Sequence, residues 1–256
     1  MEYFFICLAA FLTAGLTLFS GFGLSTILMP VFALVFPLDV AIALAAIVHL
    51  LNNLLKLALL GKNADIPIAF KFGLPAMVTA FFGAQCLIWF SSMSPFFGYL
   101  VFGHRFSVMP VKLTVAVLMV LFALSEVIPR LQKITIERKY LSLGGVLSGF
   151  FGGLSGHQGA LRSVFLVRCN LTKESFIATG VLIACLVDIS RLSVYGFHFL
   201  LTELQHNAIF IAVIFSAFFG TLVASRLVQK VTLQSIQLVV SALLFIIALA
   251  LGAGLI

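Results

Sequence analysis

Residues 148–168 read SGFFGGLSGHQGALRSVFLVR: five glycines, His157 and Arg162 stand in a chain that is otherwise almost entirely apolar. Each glycine in a helix interior costs about 1 kcal/mol relative to alanine, so this stretch breaks whatever helix runs into it. What it breaks is set by composition. Of 256 residues, 62% are hydrophobic and 9% charged, with a mean hydropathy of +1.24, so water is not the main solvent. Apolar runs of about 20 residues follow one another with short connections, the length a helix needs to cross hydrocarbon. A barrel would show short alternating segments instead. The fold class is therefore an all-α polytopic membrane protein with broken helices.

The stretch has a counterpart. Sliding the sequence on itself by 135 residues pairs Ser20 and Gly21 with Ser155 and Gly156, Asp39 with Glu174, Asn53 with Asp188, Lys56 with Arg191 and Gly61 with Gly196. Two residues of slippage later, TAFFG at 79–83 answers SAFFG at 216–220. The chain divides into a first transmembrane repeat at 1–128, a basic cytoplasmic linker at 129–139 (PRLQKITIERK) and a second transmembrane repeat at 140–256. Tyr3 to Leu38 contains no charge, and as one straight helix it would be about 54 Å long, far beyond the bilayer. It must break, and Ser20 to Gly23, helped by Pro30 and Pro37, is where the helix signal fails. Each half reads as a broken, re-entrant hairpin followed by three spans: about 39–60, 67–90 and 108–128, then 173–195, 204–226 and 232–256.

Lysine and arginine decide the orientation. If both hairpins return to their side of entry, Lys62, Arg130, Lys133, Arg138, Lys139, Arg168, Lys173, Arg226 and Lys230 face the cytoplasm and only Arg105 faces out. If both cross, the same residues split evenly, against the positive-inside tendency. The expectation is two inverted repeats in a cell (inner) membrane with both termini outside. The N-terminus, MEYFF, has no positive segment and is expected to be retained. Tyr3, Trp89, Tyr140 and Tyr195 fall at span ends, as an aromatic belt would.

Free backbone groups inside a bilayer are tolerated where they are buried in protein or line a wet cavity, so two matched breaks point to an internal site. A half-helix that starts after a break presents unpaired N–H groups and the positive end of its dipole, which suits an anion. The expected substrate-binding set is Ser20, Gly21, Gly23 and Ser25 at the first break and Ser155, Gly156, His157, Gln158 and Arg162 at the second. His49, Asn52 and Asn53, which share a helix face with Lys56, join it, as does Arg191. The glycines have a second reading, as sites of tight helix crossing. Lys56 reads equally as a snorkelling cation, and Asp188 with Arg191 as an internal ion pair. His49, His157 and Asp188 are candidates for carrying protons if transport is proton-coupled.

These residues carry a family resemblance. SGFGLSTILMP at 20–30 and SGFFGGLSGHQGALRS at 148–163, each leading into a span within an internal duplication, resemble the TauE/SafE sulfite exporters, also called the toluene-sulfonate uptake permeases. Gly21, Gly23 and Pro30 match the glycine-then-proline pattern of that family; in the second half Gly152, Gly153 and Gly156 match, while Phe165 stands where the proline would. The resemblance implies a secondary transporter for small sulfur-containing anions, such as sulfite, sulfoacetate and other organosulfonates, with no cofactor and no catalytic residues.

Other classes fit less well. HLLNN at 49–53 and GLSG at 153–156 satisfy patterns of rhomboid intramembrane proteases, with Ser155 as nucleophile, but the later histidines, His198 and His206, lack the expected context for the base. A passive anion channel with a filter of backbone dipoles uses the same glycines. The four cysteines show neither zinc spacing nor a disulfide framework, so no metal is expected. The net charge of +7 sits in loops between spans, without a nucleic-acid motif.

Overall fold

The computed structural model of the protein describes residues 2–20, 24–101, 103–132, 134–196, 207–227 and 233–255. The helices, in order, are α1 (Glu2–Ser20), α2 (Leu24–Ala33), α3 (Leu38–Leu60), α4 (Ile66–Ser91), α5 (Pro110–Val127), the short α6 (Pro129–Gln132), α7 (Leu141–Ser155), α8 (Gly159–Leu166), α9 (Lys173–Tyr195), α10 (Asn207–Leu227) and α11 (Leu233–Gly252). Their starts follow from local chemistry. Pro37 precedes α3, which carries Asp39 in its first turn. The Asp65 carboxylate caps α4 by accepting from the Ile68 N–H at 3.0 Å, and the Thr172 hydroxyl caps α9 by accepting from Ser175 at 3.2 Å. Glu174 sits in the first turn of α9, so the acidic residues paired by the repeat both face a positive helix end.

Element boundaries carry the offset seen in the sequence. The first and last residues of α3 and α9 differ by 135 (173 − 38 and 195 − 60). The packing is reciprocal too. Thr79 Oγ1 of α4 lies 2.9 Å from the Val146 carbonyl of α7, and one turn on, Gly83 is pressed against the Phe150 carbonyl. In the other half, the Ser216 hydroxyl of α10 donates to the Cys7 carbonyl of α1 at 2.7 Å, and Gly220 is pressed against Phe11. TAFFG and SAFFG are thus two copies of one device, in which a hydroxyl and a glycine dock a helix of one half onto the opening helix of the other.

Directions follow from the contacts. The Asp65 N–H, just past the end of α3, donates to Thr179 Oγ1 near the start of α9 at 2.8 Å, while His49, earlier on α3, meets Asp188, later on α9. These two helices therefore run antiparallel. α8 folds back along α7, because the Ser148 hydroxyl donates to the Gln158 carbonyl at 3.0 Å and the Phe165 ring fills the space over Gly144. Gly145, Gly149 and Gly153 recur every fourth residue on α7, and a Cβ on any of them would collide with the α4 carbonyls of Phe72, Ala76 and Ala80.

Among the described residues, three helical stretches, Leu38–Asn63, Ile66–Ser91 and Lys173–Tyr195, are long and apolar enough to cross a membrane, and Ile6–Gly15, Pro110–Ser125, Ile211–Val223 and Ser241–Gly252 are shorter apolar ones. α3 and α9 are the inner pair, each 67% buried along its most apolar window against 39% for α4. Phe82, Trp89, Phe215, Phe219 and Ile246 are more than half exposed, as lipid-facing side chains are. Tyr195 departs from the aromatic-belt reading: it is fully buried, and its hydroxyl donates to the Gly153 carbonyl.

Among the described residues, one element is not helical. β1 (Phe97–Val101) and β2 (His104–Val108) form an antiparallel hairpin with Phe97 opposite Val108 and Val101 opposite His104, in a segment read from sequence as a plain loop. Aromatic and β-branched residues favour strands, and Gly103 takes a positive φ of 80° at the turn. The Tyr99 hydroxyl ties the hairpin to the Ala253 carbonyl beyond α11.

Candidate functional site

α3 and α9 cross where both carry polar side chains. His49 is the central residue of α3, eleven residues from either end (49 − 38 and 60 − 49), and its Nδ1 lies 2.6 Å from Asp188 Oδ2. Asp188 Oδ1 accepts from Arg191 Nε at 2.9 Å and Nη2 at 2.7 Å, while Gln158 Nε2 stands at 3.5 Å from the same oxygen. Arg191 Nη1 also lies 3.4 Å from the Gly152 carbonyl near the end of α7. Asn53 Nδ2 is 3.2 Å from the His49 ring nitrogens, and Asn52 Oδ1 accepts from the Thr221 hydroxyl of α10 at 2.7 Å. The expected polar face of α3 is thus buried as a unit, Lys56 included.

The break between α7 and α8 closes onto this cluster. Gly156 ends α7 in the left-handed region at φ 81°, a conformation open to glycine because no Cβ crowds the following carbonyl. Gly152 meets Gln158 and Val187, whereas Gly149 and Gly153 serve helix packing. One glycine run therefore has separate tasks: two press α7 onto α4, one makes the turn and one makes room beside the cluster. Arg162, on the second turn of α8, is buried and directs its guanidinium toward Gly180 of α9, where a Cβ would stand 3.3 Å from Nε. Arg162 and Lys56 are near enough to repel one another, and Cys185 lies close to both.

Several buried polar atoms here have no partner among the described residues: Arg162 Nη1, Asn52 Nδ2, His157 Nε2 and Gln158 Oε1. Buried polar groups are ordinarily hydrogen-bonded, and each failure costs about 1 to 3 kcal/mol, more for a charged group. The His157 ring stacks on Phe122 of α5 at 5.6 Å, and its Nδ1 lies 2.9 Å from the Ser155 carbonyl. Because a carbonyl only accepts, that nitrogen carries the hydrogen, and a neutral His157 presents a bare lone pair at Nε2.

The same geometry bears on nucleophilic chemistry. Ser155 Oγ is 3.3 Å from His157 Nδ1, but that nitrogen is a donor, and the serine hydroxyl donates to the Phe151 carbonyl at 3.0 Å. Among the described residues, Ser155 has no base in this arrangement.

Of the expected residues, the structure brings His49, Asn53, Gln158, Asp188 and Arg191 into one network, with Asn52 and Arg162 at its edge and Ser155, Gly156 and His157 at the turn. Gly21 and Gly23 lie outside the described residues, and for Ser20 and Ser25 only the helical backbone of α1 and α2 is described. Lys56, Gly180, Cys185 and Thr221 were not in the expected set. Lys56 was within reach, since it shares the helix face of His49 and Asn53; Gly180 and Cys185 carry no signal apart from the helices that pack beside them. Among the described residues, no cluster of metal-ligating side chains occurs.

No curated protein and no solved structure matches the chain. A family model described as Sulfite exporter TauE/SafE matches residues 6–251, nearly the whole length. A multi-pass helical protein with broken helices and a buried polar centre agrees with that match, and the chain belongs to the TauE/SafE family of sulfite exporter-type membrane transporters.

Proposed function

We propose that the protein is a secondary carrier that moves sulfite, sulfoacetate or a related organosulfonate across the cell membrane by alternating access, with the substrate held beside the α7–α8 break. The observation that carries this reading is Arg162: a buried guanidinium with Nη1 unpartnered, one turn into a half-helix whose first N–H groups have no helical acceptor. A sulfonate or sulfite supplies three oxygens of the right charge, and bonds between ionised partners are the strong ones. Asn52 Nδ2 is a further unused donor. The antiparallel α3 and α9 and the reciprocal docking of TAFFG and SAFFG support an inverted pair of repeats, the arrangement in which one half rocks against the other around a fixed site. In this reading both termini lie outside.

Export is the default direction, because a potential negative inside favours anion exit by about 2.3 kcal/mol per charge per 100 mV. Uptake requires a coupling ion, and protons carried by His49, His157 or Asp188 fill that role. Flux in proteoliposomes tests the proposal: labelled sulfite or sulfoacetate should saturate at low turnover and show counterflow. Flux that never saturates assigns a channel, and indifference to every sulfur anion removes the reading.

A further inference from the structure

We infer that the site is built for a doubly charged anion and that Asn53 is the residue that sets this charge. The inference rests on the anion-carrier reading above. Among the residues whose burial is described, the buried charged side chains are Lys56, Arg162, Asp188 and Arg191. Three cations against one carboxylate leave a surplus of two positive charges when both histidines are neutral. The carboxylate is already engaged: Asp188 is in contact with Arg191 through Oδ1 and with His49 through Oδ2. Lys56 and Arg162 repel one another, and although Arg162 also feels the Asp188 charge, no carboxylate lies within salt-bridge distance of either among the described residues. Charge buried without a counter-charge is expensive enough that a partner is normally found.

The repeat explains where the missing carboxylate went. At an offset of 135, Asp188 and Arg191 on α9 correspond to Asn53 and Lys56 on α3. Each pair is spaced i, i+3 on the central helix of its half, but α9 completes an internal ion pair where α3 carries an amide. Asn53 uses that amide to hold the His49 ring and leaves the Lys56 ammonium for a ligand. A dianion placed between Lys56 and Arg162 makes the buried site neutral; a monoanion leaves one charge over.

The test is calorimetric titration of the purified full chain at pH 7 with sulfate and methanesulfonate, which match in shape and differ by one charge. Sulfate should bind the parent at least about tenfold more tightly, as an extra charge in a weakly screened site requires. Asn53→Asp, which rebuilds on α3 the ion pair of α9, should abolish that preference and bind methanesulfonate at least as well as sulfate. Lys56→Gln should do the same by removing a cation. Asn53→Ala, which removes the amide without adding charge, should keep it. Equal affinity of the parent for both probes overturns the inference while leaving the carrier reading intact; so does an unchanged preference in folded Asn53→Asp or Lys56→Gln, or its loss in Asn53→Ala. A parent that binds neither these probes nor sulfite or sulfoacetate refutes the carrier reading itself.

Discussion

His49 Nδ1 stands 2.6 Å from Asp188 Oδ2, joining two helices whose sequences are 139 residues apart at that contact (188 − 49). This bond and the Asp188–Arg191 pair at 2.7 Å place one fully buried carboxylate between two partners. Asp188→Asn removes the counter-charge and leaves Arg191 buried beside an amide. Breaking one side of a buried pair costs about 3 to 5 kcal/mol, so the variant should insert but melt well below the parent. Thermal unfolding in detergent checks this; a melting point equal to that of the parent would show that the network does not hold α3 to α9.

Arg162→Gln should weaken binding of sulfite or sulfoacetate by about 1.5 to 3 kcal/mol, the worth of a hydrogen bond to a charged group. Gly180→Leu tests the same place from the opposite helix, because its side chain must occupy the space now filled by the Arg162 guanidinium. Both variants should fold, and both should lose affinity in isothermal titration. Full affinity in either would move the anion away from α8.

Substituting different glycines of the run should give different defects. Gly156→Val forces a β-branched residue to φ 81° and should abolish transport through the turn geometry while α7 still docks. Gly153→Ala instead drives a methyl group into the Ala80 backbone of α4, and a cost of about 1 to 3 kcal/mol in stability is expected from such overpacking. Melting temperatures and flux measured on the two proteins should separate; identical behaviour would mean that the run acts as one packing surface.

Anion binding should strengthen as pH falls. Nδ1 of His157 already donates to the Ser155 carbonyl, so protonation occurs at Nε2, which gains a donor and a positive charge where there was a lone pair. Sulfate and methanesulfonate do not titrate above about pH 4, so their affinities between about pH 4 and 8 report the protein. His157→Gln should flatten the profile. Ser155→Ala, which deletes a hydroxyl already committed to Phe151, should leave both affinity and profile close to those of the parent, whereas a serine protease would lose all activity.

Orientation is checked with single cysteines in a background lacking Cys7, Cys86, Cys169 and Cys185. Positions 62, 139 and 105 are exposed. Lys62→Cys and Lys139→Cys should react with an impermeant reagent only after the membrane is opened, and Arg105→Cys should react in intact cells. Labelling of positions 62 and 139 from opposite sides would remove the inverted-repeat arrangement.

Sequence alone determined what one-dimensional periodicity can carry. The glycine cluster at 149–159 marked where α7 gives way to α8, because glycine weakens a helix wherever it stands. An offset of 135, the same as that between the bounds of α3 and α9, was legible in it, and a spacing of three and four put His49, Asn53 and Lys56 on one face. The strand pairing of Phe97–Val101 with His104–Val108 was missed because so short an alternation is hidden between long apolar runs. Only the tertiary structure decided which cations are neutralised. Arg191 and Lys56 stand 135 residues apart (191 − 56), yet among the described residues one touches a carboxylate and the other does not; Arg162 is accommodated by a missing side chain at Gly180, and Tyr195 turns inward to Gly153 instead of outward to lipid. Those outcomes depend on how helices far apart in the chain rotate against one another. A rotation of one residue, about 100° on an α-helix, exchanges a lipid-facing side chain for one that faces the site.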